Sequence, residues 1–446
     1  MTKKWAISII LFLLFGLVNC TGSFSAPVAT DIPKAASQTS STTPANPTNR
    51  PTEPVQLVLP TTMDTAIAST LSPTLTTTAG SANAISRNCL NILPALSQAN
   101  DYQGRLILNK IPTNDDYYLY DFQTAQTAKL TNHGLLNIVI TPDRKRYAYH
   151  DGDSPYLEIF SSNGQLQRSI PWEKNWFWMD GWLDNNQIMF EIPKVTTNAM
   201  GMWDIQYPEP LMLLNLATNQ RQNLPSDYPD IDQGSNSIDW WSGTTVYDNS
   251  LSRVVYPGGI GPDIGEGYIL WDVPDKKKMA ELPALNFSKE PKWSPDGSKF
   301  IVNGNGGEFY IVTRDGAISK ITNLNPDYDP TTHIYNLDST AYSWSPDGRN
   351  VAFWLNSAKP ASSTLAILDT LTGKIIDYCI QPEYGAPSDK YSPQAPVWSP
   401  DGNAFVVSAS TSVDQPEGDT ILVDIEKGIA AKVTSGLAPV GWLAVP

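Results

Sequence analysis

Short apolar runs recur along this chain, and each is separated from the next by a compact polar turn. The clearest copies are residues 291–302, 342–353 and 397–407, in which Trp-Ser-Pro-Asp-Gly stands between two apolar runs. Pro presets the backbone of the first central turn position, Asp suits the second, and Gly takes the left-handed residue that closes the turn. The pattern predicts antiparallel strand pairs built as a repeat.

Weaker copies of the same pattern extend the repeat in both directions. Residues 140–149 keep the Pro-Asp turn without its Gly, and residues 182–190 are one residue shorter. Residues 247–256 use another turn, and residues 439–443 provide a last first-strand copy near the C-terminus. A second hairpin follows most copies. Successive anchor positions lie 42 to 65 residues apart, and short strands at this period predict the four-stranded blades of a β-propeller.

The two ends of the chain are predicted to share one blade. Three strands near residues 105–109, 117–121 and 128–131 lack an innermost partner, and the strand around Trp442 lacks a blade. Joining them removes exposed sheet edges. We therefore predict an all-β fold over residues 87–446: a seven-bladed β-propeller of four-stranded antiparallel blades, closed by the C-terminal strand. Six or eight blades are the alternatives.

The Trp-Ser-Pro-Asp-Gly repeats resemble those of the TolB-like (WD-repeat-like) β-propeller family, across residues 100–446. The resemblance implies the fold and says almost nothing about activity. TolB itself carries an additional α/β domain before its propeller, whereas a Ser/Thr/Pro-rich segment precedes the repeats here. A role in the Tol system is therefore not carried over.

The N-terminus indicates export. Lys3 and Lys4 precede an apolar stretch at residues 5–18, which is short for a bilayer span and typical of a cleaved signal peptide. Residues 17–20 resemble the lipobox of bacterial lipoproteins, although Asn19 departs from it. We predict a signal peptide at 1–19, lipidation at Cys20 and an extracytoplasmic, membrane-anchored protein. An ordinary secretory signal cut near Ala26 and an uncleaved anchor are the alternatives.

Residues 20–86 are rich in Ser, Thr, Pro and Ala and lack a sustained apolar period. Such a composition predicts a disordered tether, because it cannot bury enough surface to offset the entropy of ordering. Besides Cys20 the chain contains Cys89 and Cys379. In an oxidising compartment a remaining pair is more often bonded than free, so we predict a Cys89–Cys379 disulfide; two buried thiols are the alternative.

Composition narrows the possible chemistry. The formal net charge is −15 at pH 7, which disfavours a nucleic-acid partner. No Gly-x-Ser-x-Gly elbow occurs, and His133, His150 and His333 show no zinc-ligand spacing. We therefore predict no catalytic residue, metal or cofactor.

The long connections between strands are predicted to lie at one end of the blades, where binding usually resides. They carry many aromatic residues, which stack on sugars or anchor peptides when exposed. The predicted ligand-binding residues are Trp172, Trp176, Trp178, Trp203, Tyr207, Tyr228, Tyr335 and Tyr384. The alternative is that these rings pack beneath their own loops. Trp182, Trp293, Trp344, Trp398 and Trp442 hold repeat positions and are predicted to be core.

The function indicated is a monomeric binding or protein-interaction scaffold, anchored to a bacterial membrane, with an unidentified protein or glycan ligand. The alternative is an extracellular carbohydrate-active enzyme, a hydrolase or lyase, using loop carboxylates as acid and base. The candidate carboxylates are Asp227, Asp230, Asp232, Asp327, Asp329, Glu383 and Asp389. A purely structural surface component is a third hypothesis.

Overall fold

The structure is a computed structural model of the 446-residue chain. It describes residues 85–110, 116–130, 135–151, 154–173, 176, 178–192, 194–197, 203–206, 211–225, 228–229, 245–258, 267–282, 291–304, 307–325, 337–358, 361–382, 393–409 and 418–445. The predicted signal peptide, Cys20 and the predicted tether up to residue 84 lie outside the described residues. Within the described part, no helix has the length and apolarity needed to cross a bilayer.

Strands account for nearly all regular structure in the described residues. In chain order they are β1 (Ile85–Arg87), β2 (Ile92–Leu93), β3 (Arg105–Lys110), β4 (Tyr117–Asp121), β5 (Gln126–Lys129), β6 (Leu135–Ile140), β7 (Arg146–Asp151), β8 (Tyr156–Ser161), β9 (Leu166–Pro171), β10 (Trp178–Asp184), β11 (Gln187–Glu191), β12 (Lys194–Thr197), β13 (Trp203–Gln206), β14 (Leu211–Asn215), β15 (Arg221–Asn223), β16 (Val246–Tyr247), β17 (Arg253–Pro257), β18 (Tyr268–Asp272), β19 (Lys277–Leu282), β20 (Lys292–Trp293), β21 (Lys299–Asn303), β22 (Phe309–Thr313), β23 (Ile318–Lys320), β24 (Leu337–Trp344), β25 (Asn350–Ala358), β26 (Ala361–Asp369), β27 (Ile375–Asp377), β28 (Val397–Trp398), β29 (Ala404–Ala409), β30 (Asp419–Asp424), β31 (Ile429–Ser435) and β32 (Leu437–Leu443). A 3-10 turn spans Ala99–Asp101.

The chain folds as a seven-bladed β-propeller of four-stranded antiparallel blades, as predicted. Blade 1 has the order β32-β3-β4-β5, blade 2 is β6 to β9, and blade 3 is β10-β11-β14-β15 with the hairpin β12-β13 inserted. Blades 4 to 7 are β16 to β19, β20 to β23, β24 to β27 and β28 to β31. Central strands such as β29 and β30 are buried along their whole length, whereas the outermost strand β5 is exposed throughout. The core therefore lies between neighbouring blades.

The repeated turns have the predicted chemistry. In blade 5, Ser294 Oγ donates a hydrogen bond to Asp296 Oδ1 at 2.6 Å, and Gly297 has a φ of 66°. Only glycine adopts that left-handed backbone at little cost. In the blade 2 copy, which lacks the glycine, Arg144 takes this conformation with a φ of 58°. The turn therefore forms in the weaker copy as well.

The repeat tryptophans join adjacent blades. Trp344 Nε1 donates to the carbonyl oxygen of Lys292 at 2.9 Å. Trp398 Nε1 donates to Ser343 O at 3.3 Å. Both acceptors belong to the innermost strand of the preceding blade. Four repeat tryptophans are buried and Trp293 is partly buried against the core between blades 4 and 5, so the repeat position is a blade-to-blade contact.

The N-terminal segment forms a strap, residues 85–104, that the sequence did not predict. β1 pairs in parallel with β27 and β2 pairs in parallel with β31, which adds a fifth strand to blades 6 and 7. β1 includes Ile85 and Ser86, the last two residues of the predicted tether. Cys89 and Cys379 form a disulfide with a Cα–Cα distance of 4.9 Å. The strap thereby covers two outer sheet edges that would otherwise be open to pairing.

Candidate functional site

The two ends of the propeller differ in their connections. Because consecutive strands of a blade are antiparallel, first-to-second and third-to-fourth turns lie at one end and all other connections at the opposite end. The first group spans two to five residues each, and every longer connection belongs to the second group. We call these the tight-turn end and the loop-rich end. This is the asymmetry that the sequence predicts.

Hydrogen bonds connect different blades at the tight-turn end. Basic side chains of one blade donate to main-chain oxygens of another blade. The pairs are Arg105 Nη1 to Ser162 O at 3.0 Å, Arg253 Nε to Arg314 O at 3.2 Å, and Arg144 Nη1 to Trp398 O at 2.5 Å. These contacts join different blades at this end of the propeller.

An aromatic cluster lies at the loop-rich end, between blades 2 and 3. It consists of His150, Trp172, Trp176 and Phe190. The Trp172 ring lies parallel to the His150 ring, with centroids 3.7 Å apart, and perpendicular to the Trp176 ring at 5.3 Å. Trp176 in turn stacks on Phe190 at 4.4 Å. Strand β7 supplies His150 and β11 supplies Phe190, so the cluster joins two blades.

An ion pair lies beside this aromatic cluster. Arg221 Nη2 contacts Glu173 Oε1 at 2.5 Å, and the guanidinium lies 5.5 Å from the centroid of the Trp176 ring. The side chains of Arg221 and Glu173 are 45% and 37% exposed, and an ion pair in contact with solvent contributes little to stability. Arg221 also lines an open pocket of about 370 Å³ with Gln187, Leu213, Asn215, Gln220 and Gln222, next to two tight turns of blade 3 and so at the tight-turn end. The ion pair itself leaves the edge of the aromatic cluster electrically neutral.

Two buried polar atoms of the cluster lack a hydrogen-bond partner within the described residues. His150 is 2% exposed, and its Nε2 lies 2.9 Å from the carbonyl oxygen of Ser154. Because a carbonyl only accepts, Nε2 carries the proton and Nδ1 is left as an acceptor with no partner. Trp176 is 4% exposed, and its Nε1–H donor is also without a partner. Such groups are rare in folded proteins.

Burial of His150 makes the stability of the protein depend on pH. Desolvation lowers the pKa of this imidazole below its usual value of about 6.5. The unfolded chain then binds a proton more readily than the folded one, so stability is complete above pH 6.5 and is lost as the pH falls below it. We expect the melting temperature of the wild type to drop more between pH 7.5 and 5.5 than that of His150→Phe. Parallel curves would contradict this, and Tyr156→Ala should behave as the wild type.

The structure brings only two of the predicted ligand-binding aromatics together. Trp172 and Trp176 share the aromatic cluster. Trp178 begins β10 and Trp203 begins β13, and the structure describes only their backbone. Tyr207, Tyr335 and Tyr384 lie outside the described residues, as do all seven candidate loop carboxylates. Within the described part, no group of three or more His, Cys, Asp or Glu side chains is placed to hold a metal ion.

Trp176 and Tyr228 are buried. Tyr228 is 6% exposed, its ring stacks on Tyr256 at 4.9 Å, and its hydroxyl is hydrogen-bonded to that of Tyr247. Trp176 packs between Trp172 and Phe190. Both rings pack beneath their own connections, because the neighbouring blade supplies an aromatic partner for each. A ligand-binding role of Tyr228 stays a prediction that these contacts do not favour.

Sequence reasoning assigned no binding role to His150, Glu173 or Arg221. His150 stands near the end of a second blade strand, which the repeat register places at the loop-rich end. That register is the one signal that could have pointed to it. Arg221 begins the outermost strand of blade 3 and not a loop, so its position over Trp176 depends on the packing of two blades.

Comparisons with known proteins bear on the fold alone. No family model and no curated protein matches the chain. A protein of unknown function from Desulfotomaculum acetoxidans is 12% identical, with a TM-score of 0.44, and the match covers 75% of this chain and 98% of that one. An oligogalacturonate lyase from Vibrio parahaemolyticus is 13% identical, with a TM-score of 0.45, and the match covers 75% of this chain and 85% of that one. The Cps50 (Swd1) β-propeller domain of Myceliophteria thermophila is 11% identical, with a TM-score of 0.40, and the match covers 73% of this chain and 97% of that one.

Proposed function

We propose that this chain is a TolB-like propeller lipoprotein that acts outside the cytoplasm as a binding or protein-interaction scaffold. Its membrane anchor is the lipidated Cys20, its binding surface is the loop-rich end, and the monomer is the active unit. The carrying observation is the difference between the two ends. The tight-turn end has only turns of two to five residues, whereas the loop-rich end holds the long connections and the aromatic cluster. A rigid scaffold that presents variable connections is a common design for binding.

The direction of the strap supports this arrangement. β1 runs parallel to β27, and β27 follows a turn of the tight-turn end. Ile85, where the described chain begins, therefore lies at the tight-turn end. The partner of the loop-rich end can be a protein or a glycan.

Photo-crosslinking in intact cells tests the proposal. A benzophenone amino acid is introduced in place of Glu173, at the loop-rich end, or of Leu371, which is 74% exposed in a turn of the tight-turn end. We expect crosslinked products from the first position and none from the second, because only one end carries the binding surface. Crosslinks from Leu371 alone, or equal crosslinks from both, would contradict the assignment. Cys20→Ala controls for the anchor, since this variant is expected in the soluble fraction.

A further inference from the structure

The two unpaired polar atoms of the aromatic cluster have opposite hydrogen-bonding roles. His150 Nδ1 can only accept a hydrogen bond, and Trp176 Nε1 can only donate one. Both rings contact the ring of Trp172. A hydroxyl group donates and accepts, so a guest rich in hydroxyls can satisfy both atoms. A guest with only donors, such as an ammonium, or only acceptors, such as a carboxylate, can satisfy one.

The charges around the cluster favour a neutral guest. Glu173 and Arg221 compensate each other. The guanidinium of Arg221 already lies over Trp176 and would repel a second cation from that ring. A compensated ion pair matches a guest with hydroxyl groups better than it matches a charged segment.

Trp172 is the ring of the cluster that solvent reaches. Of its four rings, Trp172 alone is partly exposed, while His150, Trp176 and Phe190 are buried. The main chain of Trp172 is held by a hydrogen bond from its amide to Pro155 O at 2.8 Å, so a rotation of the side chain leaves the backbone in place. Such a rotation uncovers the ring of His150 and presents the indole face to the guest.

We propose that the aromatic cluster between blades 2 and 3 binds a neutral saccharide. The apolar face of one sugar ring stacks on Trp172, and sugar hydroxyls donate to His150 Nδ1 and accept from Trp176 Nε1. Glu173 and Arg221 bind further hydroxyls at the entrance. This inference rests on the proposed function and names the class of ligand that the loop-rich end takes.

The test is a titration of the full-length mature protein with maltohexaose, cellohexaose, xylohexaose and chitohexaose, followed by tryptophan fluorescence and calorimetry. We expect saturable binding of one of these saccharides. Trp176→Phe removes the donor and His150→Phe removes the acceptor while each retains an aromatic ring, so each should weaken binding about 10-fold or more. Melting temperatures at pH 7.5 establish that both variants are folded.

Tyr156→Ala provides the matched control. Tyr156 is 46% exposed at the same end of blade 2. Its neighbour Leu157 packs in the core with Trp176, so strand alternation places Tyr156 on the opposite face of the sheet. We expect this variant to bind the saccharide with the Kd of the wild type.

Several outcomes would overturn the saccharide assignment. Undiminished binding in Trp176→Phe and His150→Phe would place the sugar elsewhere. If none of the four saccharides binds while the benzophenone at position 173 captures a protein, the ligand class is wrong and the proposed binding function stands. If neither saccharide binding nor crosslinking is seen, both proposals fail together.

Discussion

Replacing Trp442 with alanine is expected to lower the free energy of unfolding by about 3–5 kcal/mol, the range for removing a buried aromatic side chain. The ring is 2% exposed and stacks on Phe122 with a centroid distance of 4.8 Å. Its Nε1 donates to the carbonyl oxygen of Gln103 at 2.8 Å. The substitution therefore leaves both a cavity and an unpaired carbonyl.

The position of Trp442 adds to this effect. It lies on β32, the innermost strand of blade 1, opposite Leu106 of β3. The other three strands of that blade come from the N-terminal part of the chain, so this pairing closes the ring. Urea unfolding followed by circular dichroism is the measurement. Trp442→Phe keeps an aromatic ring and loses one hydrogen bond, so it should lower the free energy of unfolding by about 1 kcal/mol or more.

Leu371→Ala is the control for Trp442→Ala, since Leu371 is 74% exposed. Its expected effect is within about 0.5 kcal/mol of zero, as for most surface substitutions. If Trp442→Ala destabilises the protein no more than Leu371→Ala, the pairing of β32 with β3 does not hold the propeller closed.

Removing the Cys89–Cys379 disulfide is expected to lower the free energy of unfolding by about 2–5 kcal/mol. The bond joins residues 290 positions apart, so it restricts most of the unfolded chain. It also holds the strap, whose strands pair with blades 6 and 7 over only three and two residues. The measurement is urea unfolding of the wild type with and without reductant, and of the Cys89→Ala/Cys379→Ala double variant.

The double variant provides its own control, because reductant should not change its unfolding curve. In the wild type, intact mass after reduction should rise by two hydrogens. Absence of that gain would show that the two thiols are free. If reductant does not change the urea unfolding curve of the wild type, the bond does not restrict the unfolded chain.

Local turn chemistry explains why the sequence could predict the propeller. Ser294, Asp296 and Gly297 make their turn with residues close to them in the chain, so the motif implies its own hairpin. Spacing then gives the blade count, and the lone strand at Trp442 implies ring closure. The strap escaped prediction because β1 and β2 are three and two residues long, too short to show a strand period.

The sequence by itself thus determined the repeat and the end at which the long connections lie, and it predicted seven blades closed by the last strand, with six or eight as alternatives that the structure excluded. Which aromatic rings are exposed was decided only by the tertiary structure. Trp176 is covered by Phe190 of the next blade, and His150 meets Trp172 through blade packing. The physical reason is distance along the chain: a turn depends on adjacent residues, whereas burial and an unpaired nitrogen depend on which surfaces two separate blades bring together.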